Sequence, residues 1–123
     1  MAKPRKKIFI AAGYNTISLG PGRKEFHPKI GRAQKVDEVV FGNFMAARFN
    51  KQGNIPAFAP FIDNALKNKP SNRVEGACAS GGLAILTGIR SVLSDLSHVT
   101  LVVGFEIQNT VKSIYGADIL ASA

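Results

Sequence analysis

Several stretches of the chain carry a readable hydrophobic pattern. Residues 7–12, with Ile8, Phe9, Ile10, Ala11 and Ala12, form a short apolar run ended by Gly13, as a buried strand does. The turn-prone Lys69, Pro70, Ser71 and Asn72 lead into a short extended stretch that Val74 closes. Residues 56–67 place Phe58, Phe61, Ile62, Ala65 and Leu66 on one side, which predicts a short helix packed on a sheet, with proline tolerated in its first turn. Residues 81–96 are apolar nearly all round, through Leu83, Ile85, Leu86, Ile89, Val92 and Leu93, the mark of a helix buried between layers. Residues 99–105 then read as a central strand. Strands alternating with helices predict an α/β fold: a mostly parallel sheet, helices on both faces, and functional groups at the C-terminal ends of strands. No internal repeat or low-complexity segment interrupts the pattern.

Residues 18–35 resist this reading. Their glycines, prolines and charges, among them Gly20, Pro21, Gly22, Arg23, Lys24, Pro28 and Gly31, give no helical stripe. Parallel strands need a crossover of about a dozen residues or more, usually helical. A structureless loop of this length is uncommon in a compact domain. This irregular basic connection has either lost a helix or lacks sequence.

Composition narrows the class. At 46% hydrophobic and 20% charged the chain is globular, and no apolar run approaches the roughly 18 residues of a membrane span. Lys3 to Lys7 are followed by only five apolar residues before Gly13, too few for a secretory signal. A lone cysteine offers neither a disulfide framework nor a zinc site. A cytoplasmic location is the expectation, with no membrane partner.

The cysteine itself is the candidate chemistry. Cys78 sits in Gly76-Ala77-Cys78-Ala79-Ser80-Gly81-Gly82, where the extended stretch gives way to the long apolar helix. Nothing bulky surrounds it, so a substrate can approach the backbone, and a helix N-terminus favours thiolate over thiol. A small buried hydrophobe is the plain alternative. Two other motifs share the spacing. Gly76 and Gly81 are placed like P-loop glycines, but Gly82 and Leu83 stand where Lys and Ser/Thr are required. Ser80 has the place of a serine-hydrolase nucleophile, with Cys78 where the first glycine belongs.

The stretch from Val74 to Ala84 resembles the nucleophile segment of thiolases, acetyl-CoA acetyltransferase-like and most closely the sterol-carrier-protein type and its bacterial and archaeal relatives. Val39-Val40-Phe41-Gly42-Asn43-Phe44 and Gln52-Gly53-Asn54 lie upstream as in that family, and Leu101-Val102-Val103-Gly104-Phe105-Glu106 is similar to the strand and Gly-x-Glu turn that follow the nucleophile helix. The likeness covers most of residues 36–118 in order, with a strand at residues 36–41. It implies a layered thiolase-like half-domain over residues 1–123, with a buried nucleophile helix.

The resemblance also implies acyl-CoA:CoA acyl transfer, by thiolysis or Claisen condensation, through an acyl group carried on Cys78. Acyl-CoA and CoA are then substrates, with no bound cofactor and no metal. The family's histidine base, second cysteine and further oxyanion-hole groups lie on a C-terminal half to which no segment here corresponds. The expected partner is that complementary half or another chain, in a homo- or hetero-oligomer with residues 99–105 or the nucleophile helix at a contact. The chain alone is expected to be inactive. His27, in a basic stretch, and His98, before an apolar strand, match no catalytic segment. A ketoacyl-synthase or hydroxymethylglutaryl-CoA-synthase type of condensing enzyme, or a non-catalytic scaffold subunit, stays open. Glu75 and the Gly104-Phe105-Glu106 turn favour thiolase.

Charge adds one further thought. Residues 1–73 hold 14 Lys/Arg against 4 Asp/Glu, whereas residues 74–123 hold 2 against 4. A basic half attracts nucleic acid or the phosphates of CoA, but no nucleic-acid module is recognisable and Phe58 and Phe61 fall on an apolar face rather than between cations. No nucleic-acid partner is expected. Arg23, Lys24 and Arg48 are candidates for the CoA phosphates.

Overall fold

A computed structural model describes residues 6–13 and 33–122 of the chain. Its centre is a three-stranded parallel sheet in the order β2-β1-β3, built from β1 (Glu38–Gly42), β2 (Ser71–Val74) and β3 (Thr100–Gly104). Val39 lies opposite Ser71 on one side and Leu101 on the other. Val39, Val40 and Phe41 are at most 2% exposed, as a strand covered on both faces requires.

The two faces are covered differently. Val39 and Phe41, with Leu101, Val103 and Phe105 beside them, pack on Ala46, Ile55, Ala59 and Leu66. These come from the short helices α1 (Ala46–Phe49) and α2 (Ala59–Ile62) and from single helical turns around them. Phe105 meets Phe41 edge to face at 6.4 Å, the arrangement that ring quadrupoles prefer. The opposite face receives α3 (Ser80–Leu93), which buries Ser80, Ala84, Gly88 and Ser91, small residues spaced along one stripe. That stripe lets the helix lie close. A Cβ at Gly42 would come within 2.7 Å of the Ser80 carbonyl oxygen, and one at Gly88 within 3.1 Å of Val102 Cγ2. Finally, α4 (Ser113–Ala121) packs on α1, where Arg48 donates to Ser122 Oγ at 2.9 Å and pairs with Asp118 at 3.8 Å.

Polar groups pin the N-terminal end of the sheet. Asp37 Oδ2 accepts the His98 and Val99 backbone N–H groups at 2.8 and 3.0 Å, which holds its carboxyl below the usual carboxylate range. Glu38 accepts from Asn72 Nδ2 at 3.1 Å and from Ser91 Oγ, tying β1 to β2 and α3.

Three expectations are corrected. Residues 7–12 form no strand: Phe9 and Ile10 are 80% and 84% exposed, because the segment pairs with neither edge of the sheet. Residues 56–67 are not one helix. Asp63 is extended and its side chain accepts from the Ala65 N–H, restarting the chain as a separate turn. Phe58, Phe61 and Ile62 consequently face outward, while Ile55, Ala59 and Leu66 are buried. Third, β3 is an edge strand among the described residues, and β1 is the central one. The helix α3, expected to be buried between layers, has the sheet as one of them; among the described residues no second layer covers Leu83, Ile85, Leu86 and Leu93, which are 37–48% exposed. Most of the irregular connection lies outside the described residues; residues 33–35 form a helical turn whose Ala33 is buried. No helix among the described residues is long and apolar enough to cross a membrane.

Candidate active site

Beyond Val74 the chain leaves the C-terminal end of β2 and makes a tight turn before α3 begins. Cys78 lies in the middle of that turn (Ala77–Ala79) and is exposed. The turn is shaped by local hydrogen bonds. Glu75 Oε1 accepts the Ala77 N–H at 3.0 Å, and Ser80 Oγ donates to the Ala77 carbonyl at 2.7 Å while accepting the Gly76 N–H at 3.0 Å. Ala77 has φ 49°, the left-handed region that costs a non-glycine residue free energy and is tolerated where surroundings enforce it. With its hydroxyl occupied on both sides and its residue buried, Ser80 is a structural brace and not a nucleophile. The serine-hydrolase reading ends there.

The turn borders a cleft of about 310 Å³ that Gly42, Asn43, Phe44, Gly104, Phe105 and Glu106 line from the ends of β1 and β3. Two polar residues organise this wall; both fall in segments that carry the family resemblance, and neither is a candidate site residue from the sequence. Asn43 is buried; its Nδ2 donates to the Phe105 carbonyl at 3.0 Å and to Glu106 Oε2 at 3.4 Å, and its Oδ1 accepts the Ala46 N–H at 3.1 Å. Glu106 accepts the Phe44 N–H at 2.8 Å and the Met45 N–H at 3.4 Å. The available signal was an asparagine ending an apolar strand three residues before a helix, the spacing of a helix cap. A larger recess of about 330 Å³, lined in part by Asn54, Pro56 and Lys69, has no thiol, histidine or carboxylate in its wall.

Other candidates are not brought to the cleft. His98 is exposed just before β3, at the opposite end of the parallel sheet from Cys78. Arg48 is engaged with Ser122 and Asp118. His27, Arg23 and Lys24 lie outside the described residues. No group of His, Cys, Asp and Glu among the described residues has the spacing of a metal site.

A parallel sheet with α3 on one face and short helices on the other defines an α/β fold, with an exposed thiol at the turn from β2 to α3. The family model described as thiolase, N-terminal domain, matches residues 29–122, and the chain belongs to that family. It is 42% identical over 72 residues to the acetyl-CoA acetyltransferase of Methanothermobacter thermautotrophicus, and equally to that of Methanocaldococcus jannaschii. The match covers 58% of this chain and 18% of each relative, so the chain spans well under half of their length.

Proposed function

We propose that this chain supplies the nucleophile for thiolase-type acyl transfer between coenzyme A thioesters, with Cys78 as the residue that carries the acyl group. In the first step the Cys78 thiolate attacks the thioester carbonyl, a new C–S bond forms, and the bond to the CoA sulfur breaks. The departing CoA thiolate takes a proton. In the second step free CoA, or the carbanion of a second acyl-CoA, attacks the acyl-cysteine and releases the thiol. The observation that carries this reading is the placement of Cys78: exposed, flanked by alanines, and seated on a constrained turn beside the cleft. Splitting one acyl transfer into two easier steps is the general advantage of covalent catalysis.

A base and oxyanion donors come, in this proposal, from groups outside the described residues, carried by a complementary thiolase half. The apolar outer face of α3, with Leu83, Ile85 and Leu86 exposed, supports such a cover, since large apolar patches are uncommon on soluble monomers. A non-catalytic scaffold subunit is the second reading, favoured by the separation of His98 from Cys78 across the sheet.

The test is incubation of the full chain with acetyl-CoA, with and without a complementary thiolase half, followed by mass spectrometry. One acetyl group on Cys78, absent in Cys78→Ala, is expected, with turnover only when the second half is present. Acetylation that persists in Cys78→Ala, or none in any mixture, overturns the proposal; the second outcome selects the scaffold.

A further inference from the structure

The cleft wall opposite the cysteine is held by a pair of side chains whose arrangement serves more than one strand end. Asn43 follows β1 directly and Glu106 follows β3 by two residues. Asn43 donates across the gap to the Phe105 carbonyl and to Glu106, and Glu106 in turn accepts the N–H groups of Phe44 and Met45. The Phe105 N–H closes the same junction on the Gly42 carbonyl at 3.3 Å. Gly42 is the point on which the cysteine turn leans, because its Cα lies against the Ser80 carbonyl with no space for a methyl group. Ser80 is the residue whose hydroxyl braces Gly76 and Ala77. A continuous set of contacts therefore runs from Glu106 through Asn43 and Gly42 to Ser80 and the turn that carries Cys78.

We propose that Asn43 and Glu106 form a latch that sets the position of the Cys78 turn relative to the opposite cleft wall, and so act as positioning residues for acyl transfer. The inference rests on the acyl-transfer reading for its catalytic consequence, though not for the latch itself. A carboxylate receiving backbone N–H groups in a partly buried place makes charge-assisted hydrogen bonds, which are the stronger kind. Neither residue touches the thiol through a hydrogen bond, so their effect on chemistry passes through geometry. Small displacements of a reacting group cost large factors in rate.

The latch can be broken from either side. Asn43→Asp keeps the acceptor for the Ala46 N–H but loses the donor and sets two carboxylates together. Glu106→Gln keeps one acceptor and gains a donor. Combined, the two changes do not rebuild it: the amide introduced at position 106 can donate to the carboxylate introduced at position 43, but the Phe105 carbonyl loses its donor and the Phe44 N–H then faces an amide nitrogen. Each single variant is expected to slow acetylation of Cys78 by acetyl-CoA roughly tenfold, while alkylation by iodoacetamide, which needs only exposure, stays within about twofold of the wild type. The double variant is expected to be no slower than the slower single variant, because both changes break one unit, whereas two independent losses multiply.

Hydrogen exchange of the backbone amides at residues 77–80 is measured on the same proteins, to separate this inference from the acyl-transfer reading. If wild type is acetylated and the single variants are acetylated equally fast, the positioning role is overturned while acyl transfer stands. If wild type is not acetylated, the acyl-transfer reading falls and exchange judges the latch. Faster exchange at residues 77–80 in both single variants, not multiplied further in the double variant, supports it; unchanged exchange overturns it.

Discussion

Replacing Gly42 by alanine tests how tightly the sheet and α3 are joined. The added methyl would lie 2.7 Å from the Ser80 carbonyl oxygen, 3.0 Å from its carbon and 3.1 Å from Ala84 Cβ. Two of these three neighbours are backbone atoms, so no rotamer change relieves the contact; α3 has to move off β1 at its first turn. Overpacking of this kind costs about 1–3 kcal/mol. Removing a glycine from the unfolded chain returns about 0.4–1 kcal/mol, leaving a net loss of roughly 0–2.6 kcal/mol, in the upper part of that range because the contact is with backbone. For a chain of 123 residues each kcal/mol lowers the melting temperature by about 3–6 °C. Gly82 is the control, because a Cβ there meets nothing within 4 Å, and alanine in an exposed helical position gains about 0.8–1.0 kcal/mol. Gly88→Ala belongs between them, since its methyl would press on the side chains of Val102 and Thr100 rather than on backbone. Urea unfolding followed by circular dichroism measures all three. A Gly42→Ala protein as stable as wild type, or an order other than Gly42, Gly88, Gly82 from least to most stable, refutes the close contact between α3 and β1.

Further outcomes follow from single groups. Ser80→Ala leaves the Gly76 N–H and the Ala77 carbonyl without their hydroxyl partner, a loss of roughly 1–3 kcal/mol that denaturant unfolding reads directly. Asp37→Asn is expected to destabilise the chain near neutral pH. Two backbone N–H groups hold the Asp37 pKa below its unfolded value, so its contribution is present above the unfolded carboxylate pKa of about 3.9 and is lost as pH falls through the lower folded value. Stability curves of wild type and Asp37→Asn are therefore expected to converge in strong acid and to separate as pH rises; a constant gap across pH refutes the assignment. Leu86→Glu places a charge on the exposed face of α3 and is expected to weaken association with a complementary thiolase half, measured by light scattering, without lowering the stability of the chain itself.

Much of the fold was legible before the structure, and the reasons are local. The apolar runs at residues 81–96 and 99–105 appear as α3 and β3 within a few residues, because their hydrophobic content suits one element type and glycine or serine marks their ends. The position of Cys78 at the strand-to-helix turn was equally readable, since small residues between two apolar patterns leave few other conformations. Residues 7–12 failed because a strand is defined by its partner: an apolar run without a neighbouring strand edge has nothing to exchange hydrogen bonds with. Residues 56–67 failed because an aspartate in mid-pattern satisfies a backbone N–H locally and competes with the helix.

What the tertiary structure alone decided is which of these residues meet. The sequence of α3 is apolar nearly all round and singles out no packing face, and the sheet is met by Ser80, Ala84, Gly88 and Ser91. The bulky residues gain more from burial, but the small ones permit close approach to Gly42 and Val102, and that choice depends on the surface opposite. Asn43 and Glu106 are 63 positions apart. Nothing in either local sequence shows that the ends of β1 and β3 lie side by side, because strand order in a parallel sheet is set by how the crossovers pack rather than by the strands. The sequence determined the elements and the thiol between them; the packing of α3 on β1, and of β1 beside β3, determined what that thiol faces.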